Sequence, residues 1–263
     1  MRLASVNLLH GRSLTDGLVD GGRLGAALAA LEADVLGLQE VDRGQDRSGG
    51  LDLTALVAGA VGAVDCRFEP AIVGTPGGQW RAAHDGDRAG SVQPMYGVAL
   101  VSRLPVRSWH PLRLAAAPVR SPVLVPGGGR RVMLLADEPR VGLAAVLDTP
   151  AGPLTVATTH LSFVPGWNVR QLRRLVRFLS RLPAPRILLG DLNLPAGIPR
   201  LTSRWTPLIA AKTYPAEAPW VQLDHILADG GPPAVLGGRA VPMPFSDHRA
   251  LLVDLAERET VLR

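Results

Sequence analysis

The chain has 263 residues, 47% of them hydrophobic, which is enough to bury one large core or two smaller ones. Its 28 basic and 23 acidic residues leave a formal charge of +5, and all but one of the basic residues are arginine. A lone cysteine, Cys66, excludes an internal disulfide framework, and no apolar run reaches membrane-spanning length; with no linker or composition shift, a single domain over 1–263 is expected.

Leu3-Ala4-Ser5-Val6-Asn7 reads as a short strand ending on an amide, followed by a loop through Leu9-His10-Gly11-Arg12. Because a strand stands at Arg2 to Asn7, no signal peptide is visible, and a reducing cytoplasm is the expected compartment. Leu24, Leu28 and Leu31 recur at helical spacing, and Val35-Leu36-Gly37-Leu38-Gln39-Glu40 follows as a buried parallel strand that ends on a carboxylate. A polar loop (Val41 to Gly50), a helix from about Leu51 to Val61 and a strand near Cys66 to Val73 come next. The segment Gly74 to Gln93 is too long and polar for a simple turn. It reads either as a substrate-facing flap, with Trp80 and Arg81 as candidate binding residues, or as a surface insertion.

A β-rich block then runs through Met95–Ser102, a strand after Pro105, Arg131–Ala136, Val141–Leu147 and Leu154–Thr159, with a hairpin turn at Pro150-Ala151-Gly152-Pro153. The last of these strands leads into His160. Between Val164 and Leu182, residues Val169, Leu172, Leu175, Val176 and Leu179 form one apolar helical face, and Arg170, Arg173, Arg174, Arg177 and Arg181 occupy much of the rest. Such a stripe is normally a solvated face, with a nucleic-acid or membrane surface as the other reading, and arginine usage also follows from GC-rich base composition.

Arg186-Ile187-Leu188-Leu189-Gly190-Asp191-Leu192-Asn193 is an apolar strand that stops at a glycine and then offers a carboxylate and an amide two residues apart, on one side of an extended chain. Val221 to Leu227 alternates and carries Asp224, and Pro244-Phe245-Ser246-Asp247-His248 leads into a strand at Ala250–Leu255. Asn7, Glu40, His160, Asp191, Asn193, Asp224, Asp247 and His248 thus form a set of carboxylates, amides and imidazoles without a thiolate. Hard oxygen donors of this kind suit Mg²⁺, or Mn²⁺ in its place, better than zinc.

Leu38-Gln39-Glu40, Thr159-His160-Leu161, Gly190-Asp191-Leu192-Asn193, Leu223-Asp224-His225 and Ser246-Asp247-His248, in this order and over almost the whole chain, resemble the endonuclease/exonuclease/phosphatase family. That family includes DNase I-like nucleases, neutral sphingomyelinases and inositol polyphosphate 5-phosphatases. The resemblance implies an α/β fold: a four-layer sandwich of two mixed, mostly antiparallel sheets packed face to face, with helices outside and a divalent-metal site at one end. By motif, Glu40 is the principal metal ligand, with Asn7 and Asp247 close by. Asp191 and Asn193 orient water and hold the scissile phosphate. His248, paired with Asp224, is a base or a charged phosphate stabiliser, and His160 binds phosphate or assists the leaving group. Tyr96 and Ser102 match the strand after the metal glutamate in many members, and Asp137-Glu138-Pro139-Arg140 matches a supporting segment.

His160 stands where apurinic-site endonucleases commonly carry tyrosine, and no damage-probing helical insertion is visible. With five Trp, two Tyr and four Phe, an extended base-stacking platform is not expected. The expected function is a Mg²⁺-dependent phosphodiesterase of the nuclease type, acting as a monomer on nucleic acid, a phospholipid headgroup or a small phosphodiester. The alternatives are a small-molecule or lipid phosphatase or sphingomyelinase-like phosphodiesterase, a catalytically silent binding protein on the same fold, and a nucleic-acid-binding module driven by the arginine stripe.

Overall fold

An apolar strand buried on both faces needs a helix to cover it, and this chain answers that need twice with the same unit. The computed structural model describes residues 1–88, 93–125 and 131–256. In the first unit β1 (Arg2–Asn7), α1 (Gly21–Ala29) and β2 (Val35–Arg43) place two parallel strands side by side. Asp20 caps α1 by accepting from the Arg23 N–H, and Asp52 likewise caps α2 (Leu53–Val61) at Ala55. β3 (Asp65–Gly74), the short β4 (Trp80–Ala82) and β5 (Met95–Ser102) follow. Then come β6 (Val106–Leu114), β7 (Arg120–Val125), β8 (Arg131–Ala136), β9 (Arg140–Thr149) and β10 (Gly152–His160). In the second unit α3 (Trp167–Leu179) connects β10 to the parallel strand β11 (Arg186–Asp191). The rest comprises α4 (Ile198–Ser203), β12 (Thr206–Pro207), β13 (Asp224–Asp229), β14 (Val235–Val241) and β15 (Ala250–Leu255).

The strands assemble into one sheet ordered β14-β15-β1-β2-β5-β3-β4 and a second ordered β12-β13-β11-β10-β9-β6, with β7 and β8 as a separate hairpin. Among the described residues only β1 with β2 and β10 with β11 pair in parallel. Three apolar clusters fill the spaces between layers. Leu24, Leu28, Leu53 and Val57 of α1 and α2 pack on Ala4, Val6, Leu36 and Leu38 of the first sheet. Leu172, Leu175 and Leu179 of α3 pack on Ala157, Leu188 and Leu227 of the second. Between the sheets lie Leu3, Val35, Val98, Leu251, Val156, Ile187, Leu189 and Ile226. The expected four-layer α/β sandwich is therefore the fold.

Strand parity carries the interior chemistry. Residues two apart share a face, so Leu3 leads to Ser5 and Asn7, Val156 to Thr158 and His160, and Ile187 and Leu189 to Asp191. Each interior row is apolar at depth and polar at the same end of the sandwich. One level below that end, Gln39 Nε2 donates to Thr158 Oγ1 at 2.9 Å and to the Gly37 carbonyl at 3.0 Å, linking the sheets through a buried polar layer.

Several sequence expectations change. Gly74–Gln93 is not one loop: β4 folds back on β3 and a short 3₁₀ turn follows at Asp85–Arg88, while residues 89–92 lie outside the described residues. Ser102 pairs with Val35 at the far end of β5, where its hydroxyl bonds the Leu104 carbonyl, so it stands away from the polar end. Val221–Leu223 precede β13, whose first residue is Asp224, and Leu31 lies beyond the end of α1. Neither α4 nor β14 was expected.

Gly190 lets β11 approach β10, since a Cβ there would collide with the Thr159 carbonyl oxygen of the neighbouring strand. Gly190→Ala should therefore cost about 2–3 kcal/mol by forcing the backbones apart, seen as a lower midpoint in chemical denaturation. A midpoint equal to wild type would show that the strands do not meet so closely.

Candidate active site

Asn7, Glu40, His160, Asp191 and Asp224 stand at the same ends of five neighbouring strands. Asp191 lies opposite both His160 and Asp224 in the strand register. Glu40 is the one that parity would misplace, because Leu36 and Leu38 point to the helices. A bulge between Leu38 and Val41 shifts the pairing with β5, and Glu40 itself adopts a left-handed backbone (φ 53°). The bulge re-aims the carboxylate towards the other strand ends. Asn193 (φ 49°) and Ser246 (φ 76°) take similar conformations in the loops that bring Asn193 and His248 in.

Asn7 Nδ2 donates to Glu40 Oε1 at 3.1 Å and to Asp191 Oδ2 at 3.2 Å, and so bridges carboxylates of the two sheets. Its Oδ1 accepts from the Leu9 N–H at 3.0 Å. The amide therefore bridges two carboxylates, while its oxygen accepts one hydrogen bond and keeps a second lone pair, so the place expected for Asn7 beside a cation stands as an expectation. Asn193 Nδ2 donates to the Leu161 carbonyl at 3.0 Å and to His160 Nε2 at 3.2 Å. The Leu161 contact fixes the amide orientation, so His160 Nε2 is the acceptor and the proton sits on Nδ1, a buried atom with no partner, 4.0 Å from Glu40. His248 Nδ1 bonds Asp224 Oδ2 at 2.8 Å, its Nε2 lies 3.7 Å from Asp191, and the Tyr214 ring rests against it at 4.8 Å.

The two imidazoles are held in opposite states. Burial would push His248 down, but the carboxylates of Asp224, Asp191 and Asp247 outweigh it and lift the group to about 10. His160 is held well below the usual value by burial, with the positive charges of Arg140 and His248 adding to it. Burial also raises the carboxyls of Glu40 and Asp191, and Asp247 adds to the effect on Glu40. Pairs of groups driven apart in this way are what acid–base chemistry requires.

A hard divalent cation fits these residues. Glu40 is 20% exposed, its carboxyl is disfavoured as an anion by burial and by Asp247, and a cation would relieve both. Asp191, Asp224 and His248 also bring one donor atom each within 4.8 Å of one another. The second carboxylate oxygen of Asp224 is buried without a hydrogen-bond partner, so this group is a second candidate seat beside Glu40.

Not every expected residue joins the cluster. Tyr96 is buried beside Glu40 and lies under the Arg47 guanidinium, 5.4 Å away, which Asp42 holds with two bonds of 2.7 and 2.8 Å. Trp80 lies on the edge strand β4, 36% exposed, and Arg81 is committed to Asp87 by bonds of 2.6 and 2.7 Å, so neither has a bond to the cluster. Of two further residues, Arg140 belongs to the supporting segment that the resemblance pointed to, and Trp220 was not singled out from sequence. Arg140 is buried, lies 3.6 Å from Asp137 and acts on Glu40, Tyr96 and His160. Trp220 is 69% exposed on a loop pinned by bonds from the Ala216 N–H to the Asp247 carbonyl and from the Trp220 N–H to the Tyr214 carbonyl. Its signal was a lone tryptophan after Pro219, 28 residues before His248.

The family model described as Endonuclease/Exonuclease/phosphatase family matches residues 4–248. An endonuclease/exonuclease/phosphatase structure from Beutenbergia cavernae is similar at 22% identity with a TM-score of 0.66, covering 97% of this chain and 71% of that one. A mannosyl-6-phosphatase from Bacteroides thetaiotaomicron (16% identity, TM-score 0.65) covers 98% of this chain and 100% of its own. Sphingomyelinase C from Streptomyces griseocarneus (16%, TM-score 0.61) covers 97% and 99%. These structural likenesses bear on the fold. A comparison with curated proteins found no match.

In metal-free protein, NMR titration should find the His248 imidazole protonated well above its ordinary 6.5, losing its proton near pH 10, and Asp224→Asn should bring that value down by about 1–3 units. Because the folded-state value is the higher one, the pair's contribution to stability is complete below about pH 6.5 and fades as the pH rises through about 10. Titration near 6.5 in wild type would contradict the ion pair.

Proposed function

The chain belongs to the endonuclease/exonuclease/phosphatase family, whose members are generally phosphoester hydrolases, and from that premise we propose that it is a divalent-metal-dependent phosphodiesterase formed by one domain over 1–263. The observation that carries this reading is the Asn7 bridge, which gathers Glu40 and Asp191 from opposite sheets beside a protonated His248 and a neutral His160.

Glu40 and Asp247 would hold Mg²⁺ or Mn²⁺, which when bound supplies positive charge to the phosphate oxygens. His248, kept cationic by Asp224, stabilises charge on a phosphoryl oxygen. Asp191 and Asn193 hold the attacking water: the Asn193 N–H donates to Asp191 Oδ1 at 3.0 Å, fixing the carboxylate so that Oδ2 faces His160 and His248. The free Nδ1–H of His160 donates to phosphate or to the departing oxygen. Arg140 adds a buried cation behind Glu40. The exposed Cys66 suits the expected reducing compartment, and a monomer is part of the same reading.

Hydrolysis of bis-p-nitrophenyl phosphate should require Mg²⁺ or Mn²⁺, stop in EDTA, and fall about 10²- to 10⁴-fold in Glu40→Ala and His248→Ala. Turnover indifferent to chelation, or equal in the Glu40 variant, would refute the assignment. Parallel assays with p-nitrophenyl phosphate, sphingomyelin and an inositol phosphate separate the diesterase from a phosphatase. Metal binding without turnover on any of them would favour the silent binding protein.

A further inference from the structure

The positive charge of this protein is not spread over it. Between residues 149 and 216 there are nine basic residues and a single acidic one, Asp191, whereas the remainder holds nineteen basic and twenty-two acidic residues. A base-composition preference for arginine changes which basic residue is used but does not empty one segment of acids. The segment contains α3, where Arg170, Arg173, Arg174 and Arg177, with Arg181 just beyond, are all exposed on one face. Many of the arginines outside α3 are taken up by carboxylates, as Arg2, Arg23, Arg47, Arg81, Arg107 and Arg186 are, while Arg103 and Arg249 donate to backbone carbonyls. Among the described residues the α3 arginines have no carboxylate partner. Arg170 lies over the Trp167 ring at 5.0 Å and Arg177 Nε donates to the Arg173 carbonyl at 3.1 Å.

The direction of α3 matters as much as its charge. It connects two parallel strands that end at the site, so it runs away from that end. Its first turn is tied to the site by Asn168 Nδ2 donating to the Asn193 carbonyl at 2.9 Å. From there the arginines recur turn after turn over about 16 Å of rise. We propose that the arginine face of α3 is a docking surface for a nucleic-acid strand, held through its phosphates and leading away from the site. The proposal rests on the phosphodiesterase reading for where the scissile bond lies, while the binding itself does not. A membrane surface would be met differently. The apolar residues of the helix, Leu172, Leu175 and Leu179, are buried beneath it, and a flat bilayer on the flank would leave the site facing sideways. Leu201 of α4, 81% exposed, is the feature that would favour lipid, and so lipid is one arm of the test.

Binding of a fluorescent oligothymidylate of about 20 nucleotides, in EDTA so that nothing is cleaved, would be followed by anisotropy as salt is raised. Arg173→Gln/Arg174→Gln/Arg177→Gln should weaken binding at least about tenfold at low salt and flatten the slope of log affinity against log salt by about 2, since each phosphate contact on a single strand contributes about 0.7. Arg107→Gln/Arg120→Gln/Arg239→Gln, which removes equal charge elsewhere, should keep the wild-type slope, and the triple lysine variant of the α3 positions should retain most binding. Equal losses in both glutamine sets, or an unchanged slope in the α3 set, would overturn the proposal. So would an α3 set that loses binding to anionic phosphatidylserine vesicles but not to the oligonucleotide. If wild type fails to hydrolyse bis-p-nitrophenyl phosphate yet shows the α3-dependent slope, the hydrolase reading falls and the docking surface stands.

Discussion

Two carboxylates from opposite sheets, Glu40 and Asp191, are brought towards one another at the end of the sandwich, and the Asn7 amide makes this tolerable by donating a hydrogen to each. Buried like charges without such a donor would raise each other's pKa or push the strand ends apart. Asn7 can serve because its oxygen is fixed by the Leu9 N–H, which leaves no choice about the direction of its NH₂ group. That one side chain ties Glu40, on its bulge, to Asp191, which stands beside His248. Beneath it the Gln39–Thr158 bond is a second tie between the sheets, after which the interior is apolar.

The same burial that makes the carboxylates expensive sorts the histidines. His248 has three acids around it, and their field exceeds the cost of burying an imidazolium. His160 lies 3.5 Å from Asp191 and 4.0 Å from Glu40, carboxylates that burial itself biases towards the neutral form, and burial, with the Arg140 guanidinium and His248 adding to it, holds the imidazole down. Identical side chains a few ångströms from a shared carboxylate thus end one cationic and one neutral. Arg140, which reaches the site from the start of β9, adds to the effect of burial on His160.

The alternation of apolar residues carried most of this fold in legible form. Met95–Ser102 and Arg131–Ala136 are strands over the spans the pattern indicated, and the repeat of helix, strand and acid is real in both halves. Asp191 and Asn193 were read as facing one cavity, and both meet His160. What escaped the pattern was whatever breaks period two. Glu40 reaches the site through a bulge and a left-handed residue, which no count of alternation reveals. Ser102 was placed by its strand, but a strand has two ends, and which one faces the site depends on pairing with β2. Arg81 looked available because Asp87, six residues on, gives no local sign that a hairpin will bring it back. The short α4 and the exposed edge strand β14 lack the apolar stripe that announces an element, because they bury too little.

A cluster holding Glu40, Asp191, Asp224 and Asp247 against one imidazolium is, without a cation, a poor place for an anion to arrive. Its attraction for a phosphoester has to come from charge supplied at the site or from charge nearby that outlasts the approach. Paired arginines contribute little to such a field, because each carboxylate partner cancels its guanidinium within a few ångströms. Among the described residues the arginines of α3 have no such partners, and they begin one hydrogen bond from Asn193, so their field extends over the approach to the site. That arrangement explains how an acidic site and a cationic flank belong to one design: the flank holds the anion at long range, and the cluster acts on it only at contact.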